Sequence, residues 1–201
     1  MDIESQLASL KKVLTSATQI SDADAGLFSS RFHPAQLDKG DSFISAGETG
    51  KQVAFVASGL MRSFYISDSG EEFNKHFFVS GDFVAPLTSL VKREPSPVNI
   101  GALEDTYLLV ADWSDIETLY SEHPALNRVG RILVEYAWIG KERRETQLIM
   151  LNASKRYDAR FSRSFQVWNS ESLNIKLHRI LALPLCNCRE FESASNRSCS
   201  P

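Results

Sequence analysis

The stretch Asp82–Thr106, DFVAPLTSLVKREPSPVNIGALEDT, decides how the rest of the chain is read. It follows an apolar run that closes at Gly81, makes a short helix-like turn over Pro86–Val91, passes a proline-rich loop and re-enters a strand at Val98. That is a loop set into β-structure, and binding residues concentrate on loops carried by a rigid scaffold. The segment is therefore where a small anionic ligand would be held, with strands framing it and a helix beyond it to carry a signal away.

Working outward, the glycines supply the frame. Seven of the ten lie between Gly40 and Gly101, mostly at the spacing of about ten residues that short strands and turns produce. Apolar runs fill the gaps: Phe43-Ile44, Val53–Val56, Leu60–Ile66, Phe73–Val79, Val98–Leu103 and Tyr107–Val110. This pattern predicts an antiparallel sandwich or roll. Asp68-Ser69-Gly70 predicts a hairpin turn, and the two-residue period puts Phe73, Lys75, Phe77 and Val79 on one face.

Both flanks are helical. Ile3, Leu7, Leu10 and Leu14 form one apolar stripe over residues 2–17, a packing helix. A second short helix starts at Ser21, with Asp22 or Asp24 near its N-terminus, and ends before His33-Pro34. Ser114-Asp-Ile-Glu117 has the form of a capping box, which predicts a short helix there with Ile116, Leu119 and Tyr120 inward. Pro124 then suits the first position of another helix. From Ala125 to Leu151 there is no proline, and a helix of that length spans roughly 40 Å, more than a roll of this size needs. Its stripe of Leu126, Val129, Ile132, Leu133, Tyr136 and Ile139 predicts pairing with a second copy. Gly130 and Gly140 would permit close approach at a cost of about 1 kcal/mol each in helix propensity. Lys141–Glu145 is a charged, solvated face.

Composition narrows the function classes. A chain of 201 residues, 43% hydrophobic, has material for one good core and a small appended second one. A formal charge of −3 and a pI near 5.8 give no overall basic footprint for nucleic acid, although one small helical module can carry such charge alone. The three cysteines, Cys186, Cys188 and Cys199, cluster near the end with no earlier partner, so a reducing, cytoplasmic setting without a disulfide framework is expected. No apolar run approaches a membrane span and no signal-peptide core is present.

Helix, glycine-punctuated roll, short helix, long helix and then LNASKRY is an order that resembles the Crp/Fnr family of bacterial transcription regulators. The pieces that carry the resemblance are KGDSFISAGE, FVASGLMRSFYISDSGEE, FFVSGDFV, ALEDTYLLV and LNASKRY, covering about residues 20–165. The resemblance implies a mainly β fold with flanking α: an antiparallel, cyclic-nucleotide-binding-like β-roll (double-stranded β-helix or jelly roll) followed by a long dimerisation helix. It implies residues 1–123 for the N-terminal helices and roll, 124–151 for the dimerisation helix, and 152–201 for a remnant or altered helix-turn-helix. It also implies a homodimer, a signal read in the roll, and a recognition helix that enters the DNA major groove.

Two departures from the family pattern matter. Nucleotide-binding members place Gly-Glu-Leu early in the opening segment and Arg-Ser/Thr-Ala later. The arginine pairs with the cyclic phosphate, the glutamate takes a ribose hydroxyl, and a helix N-terminus offers amides. Here Ala85-Pro86-Leu87 and Ser96-Pro97-Val98 occupy those places, with Thr88 beside the first and Tyr136 facing them from the long helix in the expected degenerate pocket. Proline offers neither amide proton nor carboxylate, and serine offers no charge. Losing a charge-assisted contact to a buried phosphate costs several kcal/mol, so no cofactor is expected, tight cyclic AMP binding is not expected, and any effector is a different small molecule. Lys92 and Arg93 are the cations close enough in sequence to substitute.

The second departure is the tail. After Ser172–Ile180 the family continues with a pattern like ASYLGVTPxSLSRIR, whereas this chain reads LALPLCNCREFESASNRSCSP. Back-translating the segment from Cys186 and reading one base later permits V-T-A-x-S-L-S-R, the family's recognition-helix signature. The expectation is a frameshift near residues 180–185 that destroyed the DNA-reading helix, leaving the DNA-binding domain incomplete and DNA a partner of the ancestral family rather than of this chain; sequencing the gene decides it.

Other chemistries find little support in the residues. A cupin-like metal enzyme would need an H-x-H with further His and Glu ligands, but His33, His76, His123 and His178 are far apart in sequence. Other Crp/Fnr members hold an iron–sulfur cluster through N-terminal cysteines, and none precedes Cys186 here. No P-loop, nucleophile elbow or dinucleotide fingerprint occurs. Ser96 and Thr88 read as loop-capping hydroxyls and Tyr136 as part of the helix pairing. The expectation is a non-enzymatic regulator, with a stand-alone interaction module and a cupin-like enzyme as the rival readings.

Overall fold

The computed structural model describes residues 2–151. Expectations placed on 152–201, including the altered helix-turn-helix and the frameshift, lie outside the described residues. The chain divides into two compact units, residues 1–136 and 137–201.

The first unit opens with α1 (Ile3–Thr18) and α2 (Asp22–Ser29). Asp2 caps α1 by accepting from the Ser5 amide at 2.7 Å. Ser21 caps α2 by accepting from the Asp24 amide at 3.1 Å while its hydroxyl donates to the Asp24 carboxylate at 2.7 Å. Eight strands follow: β1 (His33–Leu37), β2 (Ser42–Ile44), β3 (Gln52–Ser58), β4 (Leu60–Ile66), β5 (Glu72–Val79), β6 (Phe83–Val84), β7 (Asn99–Ala102) and β8 (Thr106–Asp112). Helix α3 (Leu87–Lys92) sits between β6 and β7, and α4 (Trp113–Glu122) and α5 (Pro124–Met150) follow β8.

The strands form two four-stranded antiparallel sheets, ordered β1-β8-β3-β6 and β2-β7-β4-β5. This is the β-roll with flanking helices that the sequence predicts. β3 explains how the layers join. Its continuous run Val53–Ala57 is buried on both faces, with Val53, Phe55 and Ala57 packed toward the helices and Ala54 and Val56 filling the space between the sheets. β8 divides in the same way, Leu109 and Ala111 outward and Leu108 and Val110 inward. Gly59 makes the tight β3–β4 turn at φ +121°.

Four sequence expectations need correction. A bulge shifts the β4–β5 register so that Ser63 faces His76 but Phe64 faces Asn74. The inserted residue reverses the alternation, so Phe73 and Phe77 do not share a face; Phe77 is buried and Phe73 is 37% exposed. α4 starts at Trp113 rather than at a Ser114 capping box, because its cap position falls on Asp112, whose carboxylate accepts from Gln52 instead of capping. Leu126 and Val129, expected on a dimer stripe, are fully buried inside the first unit against the cluster that includes Leu10, Leu14, Phe28 and Phe55. Gly130 serves this packing too: a Cβ there would come within 2.7 Å of the Tyr120 ring and hydroxyl. Tyr120 of α4, stacked on Phe28 and edge-on to Trp113, occupies the space that the missing side chain leaves.

Candidate functional site

The expected ligand segment is built around α3. Pro86 stands at its N-cap without a side-chain cap, and the Leu87 amide is bonded to Ala85 O at 2.9 Å. The start of α3 therefore lacks one amide proton outright and has a second one engaged. Pro86 is buried and packs beside Gly50, where a Cβ would come within 2.9 Å of the Pro86 ring and 2.7 Å of Ile44 Cδ1. At the other end Arg93 takes a left-handed conformation (φ 58°), and its amide closes α3 on Ser89 O at 2.9 Å.

The expected pocket residues do not converge on one open cavity. Val98 is buried among the roll-core residues Ile44, Val56, Met61 and Ile100. Ala85 is half-buried and packs toward the helices, and Thr88 is half-buried. Leu87, Pro97 and Tyr136 are exposed, Tyr136 by 60%. Ser96 is 2% exposed, and its hydroxyl is consumed locally: it donates to Val98 O at 2.7 Å and accepts from the Val98 amide at 3.3 Å. This places Ser96 in the loop-capping role that its residue type predicts.

Nor is a substitute cation in place. Lys92 and Arg93 are both exposed. Arg93 reaches toward Glu117 of α4 at 3.9 Å with its side chain 82% exposed, a loose surface pair of the kind that contributes little. Arg62 is committed elsewhere: it pairs with Glu72, donates to Asn74 at 3.0 Å and lies 4.0 Å over the Phe64 ring. The α3 segment thus does not fit a cyclic phosphate, which needs a directed cation and free amides. Residues 2–151 contain no cysteine, so the described residues offer no thiolate to an iron–sulfur cluster. Among the described residues no three His, Cys, Asp or Glu side chains gather as a metal site requires.

A cleft of about 340 Å³ opens beside the β2–β3 loop, lined by Phe43, Glu48, Thr49, Lys51, Pro86 and Asp112 among others. Of the expected pocket residues it contains Pro86 alone.

Sequence reasoning missed Asp82, which heads the segment. Its carboxylate accepts from the Val79 amide at 2.8 Å and closes the turn into β6, while Val56 N donates to Asp82 O at 2.9 Å. Burial pushes its pKa from 3.8 up to about 6, with the Val79 hydrogen bond opposing. A folded-state value above the unfolded one favours the folded state fully below 3.8 and loses that contribution as pH rises through about 6. Asp82→Asn keeps an acceptor for Val79 and removes the charge. The variant should match the wild type near pH 4 and exceed it in stability by up to about 3 kcal/mol at pH 8. Urea midpoints across that range check it; a difference independent of pH would contradict the assignment.

In the first unit Val134 and Tyr136 of α5 are 50% and 60% exposed, and Ile132 and Leu133 are half-buried. In the second unit Trp138 and Ile139 are 62% and 40% exposed. Within the first unit the exposed apolar residues of α5 thus differ from the expected stripe: Leu126 and Val129 are buried, and Val134, outside the stripe, is open.

Comparison with known proteins agrees with this fold. The family model described as the cyclic nucleotide-binding domain matches residues 34–123. The transcriptional activator protein FnrA of Stutzerimonas stutzeri is 31% identical over 121 residues, which are 60% of this chain and 46% of that protein. The transcriptional activator protein Anr of Pseudomonas protegens matches with the same identity and coverage. The chain spans about half the length of these curated relatives. Among solved structures, FixK2 of Bradyrhizobium japonicum superposes with a TM-score of 0.62 at 16% identity, covering 70% of this chain and 69% of that one. The Thermus thermophilus catabolite activator protein gives 0.55 at 24% identity, covering 68% and 60%. Two sheets closed into a roll and the matched segment from Pro34 to His123 show a cyclic nucleotide-binding domain, and the chain around it is similar to the transcriptional activators FnrA and Anr.

Proposed function

We propose that this chain is the sensor portion of a Crp/Fnr-type transcription regulator, not an enzyme, and that its roll does not take a cyclic nucleotide. The observation that carries the reading is the state of α3: Pro86 at its start, the Leu87 amide engaged, Ser96 turned on itself, and Lys92 and Arg93 directed to solvent. The similarity to the transcriptional activators FnrA and Anr supports the regulator class. The protein works in the cytoplasm as a homodimer. α5 supplies the pairing surface through Val134 and Tyr136 of the first unit, side chains whose exposure leaves a favourable burial unmade. DNA is the partner of the family, read by whatever follows residue 151. A signal other than a cyclic nucleotide biases the two-state arrangement of the paired helices.

Sedimentation equilibrium tests the pairing surface. The full chain should be dimeric at micromolar concentration, and Val134→Glu with Tyr136→Glu should weaken association by at least about a hundredfold, since two charges would enter an apolar contact. A wild type that stays monomeric, or a double variant that dimerises equally well, overturns the proposal. Fluorescence anisotropy on duplex DNA at two salt concentrations reports the DNA partner: salt-dependent binding supports it, and a dimer without any such binding favours a stand-alone interaction module.

A further inference from the structure

The polar atoms around α3 are tied to one neighbouring segment, the loop over residues 45–50 between β2 and β3. Ser96 N donates to Glu48 O at 2.7 Å, and Gly47 N donates back to Ser96 O at 2.8 Å. Ser89, 1% exposed on α3, donates its hydroxyl to Glu94 O at 2.8 Å and reaches Glu48 O at 3.4 Å. The Glu48 carbonyl therefore accepts from both α3 and the loop after it. Ala46 N adds a bond to Asn99 Oδ1 at 2.9 Å, and the Glu48 carboxylate accepts from the Ser45 amide at 2.8 Å, which fixes the loop itself. Pro86 against Gly50 completes the contact at the N-terminal end of α3.

We propose that the loop over residues 45–50 is a built-in clasp that stands in for a ligand, holding α3 and the following loop in one position with nothing bound. In a ligand-gated roll, the bound anion orders the segment that surrounds it. Here Glu48 O, Gly47 N, the backbone N and O of Ser96 and the Ser89 hydroxyl supply that order from within the chain, and buried groups already paired leave no polar demand for a ligand to meet. A signal acting on this roll must then release the clasp rather than fill a pocket. That regulatory meaning rests on the reading of the roll as a Crp/Fnr-type sensor; the clasp itself is a property of the fold.

Hydrogen exchange followed by mass spectrometry on the full chain tests it. In the wild type, the amides of Gly47, Arg93 and Ser96 should exchange roughly a hundredfold slower than unstructured chain. Ser89→Ala, which removes the hydroxyl on Glu94 O and Glu48 O, should speed those amides about fivefold, the loss of one hydrogen bond's net contribution, while the β3 and β8 amides stay protected. Adding cyclic AMP at millimolar concentration should leave the wild-type pattern unchanged. Wild-type amides at Gly47 and Ser96 that exchange as freely as open chain overturn the clasp, as does unchanged exchange there in Ser89→Ala. Protection of α3 by cyclic AMP would overturn the ligand-free reading of the roll instead, so the two failures are told apart.

Discussion

Gly59→Ala should lower the stability of the roll by about 3–5 kcal/mol, a large part of the roughly 5–15 kcal/mol that holds a domain folded. Two effects add. The backbone at Gly59 has φ +121°, a conformation that L side chains rarely adopt. A Cβ there would also sit 2.4 Å from Thr106 Oγ1 and 2.7 Å from Thr106 Cα. The threonine has nowhere to go: it is fully buried, its hydroxyl donates to Glu104 O at 2.7 Å and accepts from Leu60 N at 3.3 Å, and its strand β8 is paired on both sides. Gly70→Ala is the control, since Gly70 has φ +84° but open space around it, and it should cost only about 1 kcal/mol from backbone strain. Urea midpoints measured at constant m-value separate the two; a Gly59→Ala cost no larger than that of Gly70→Ala would show that the β3–β4 turn is not as tight as described.

The second large effect distinguishes the core from the pairing surface on α5. Leu126→Ala should destabilise the first unit by about 2–5 kcal/mol, because it opens a cavity among side chains with no access to solvent. Leu126 is 0% exposed and packs in the cluster with Leu10, Leu14 and Phe28. Tyr136→Ala, at a position 60% exposed, should leave the intrinsic stability of the fold within about 0.5 kcal/mol and act on association instead. Denaturation at several protein concentrations reads the difference: the Leu126→Ala deficit should persist at every concentration, while any effect of Tyr136→Ala should fade on dilution below the dimer dissociation constant. A Leu126→Ala loss that vanished on dilution would return Leu126 to the dimer interface.

The roll and the order of its flanking helices were legible because glycine spacing and short apolar runs report turns and strands directly. What stayed hidden depends on pairing between distant segments. β1 carries Pro34 and lies at the edge of its sheet, where proline is tolerated but the strand pattern is weak. β6 has two residues, too few to show a period. The β5 bulge exists only relative to β4, so a strict two-residue alternation misassigned Phe73. On α5 one helical period contains both the residues that pack inside the unit and those left open, and periodicity alone does not divide Leu126 and Val129 from Val134 and Tyr136. Pro86 and Ser96 could be read as the wrong chemistry for a phosphate from their side chains alone. Their engagement by Gly47, Glu48 and Gly50 could not, because those contacts join loops about forty residues apart in sequence, and Asp82 gave no signal until its burial was visible.

With Pro86 at the start of α3, the Leu87 amide engaged and no cation directed at the segment, the roll should hold its shape without the messenger that cyclic nucleotide-binding domains take. Isothermal titration calorimetry of the purified full chain with cyclic AMP tests this most directly. No saturable heat up to about millimolar nucleotide, weaker than about −4 kcal/mol of binding free energy, is the predicted result. A stoichiometric isotherm with a micromolar dissociation constant would contradict it.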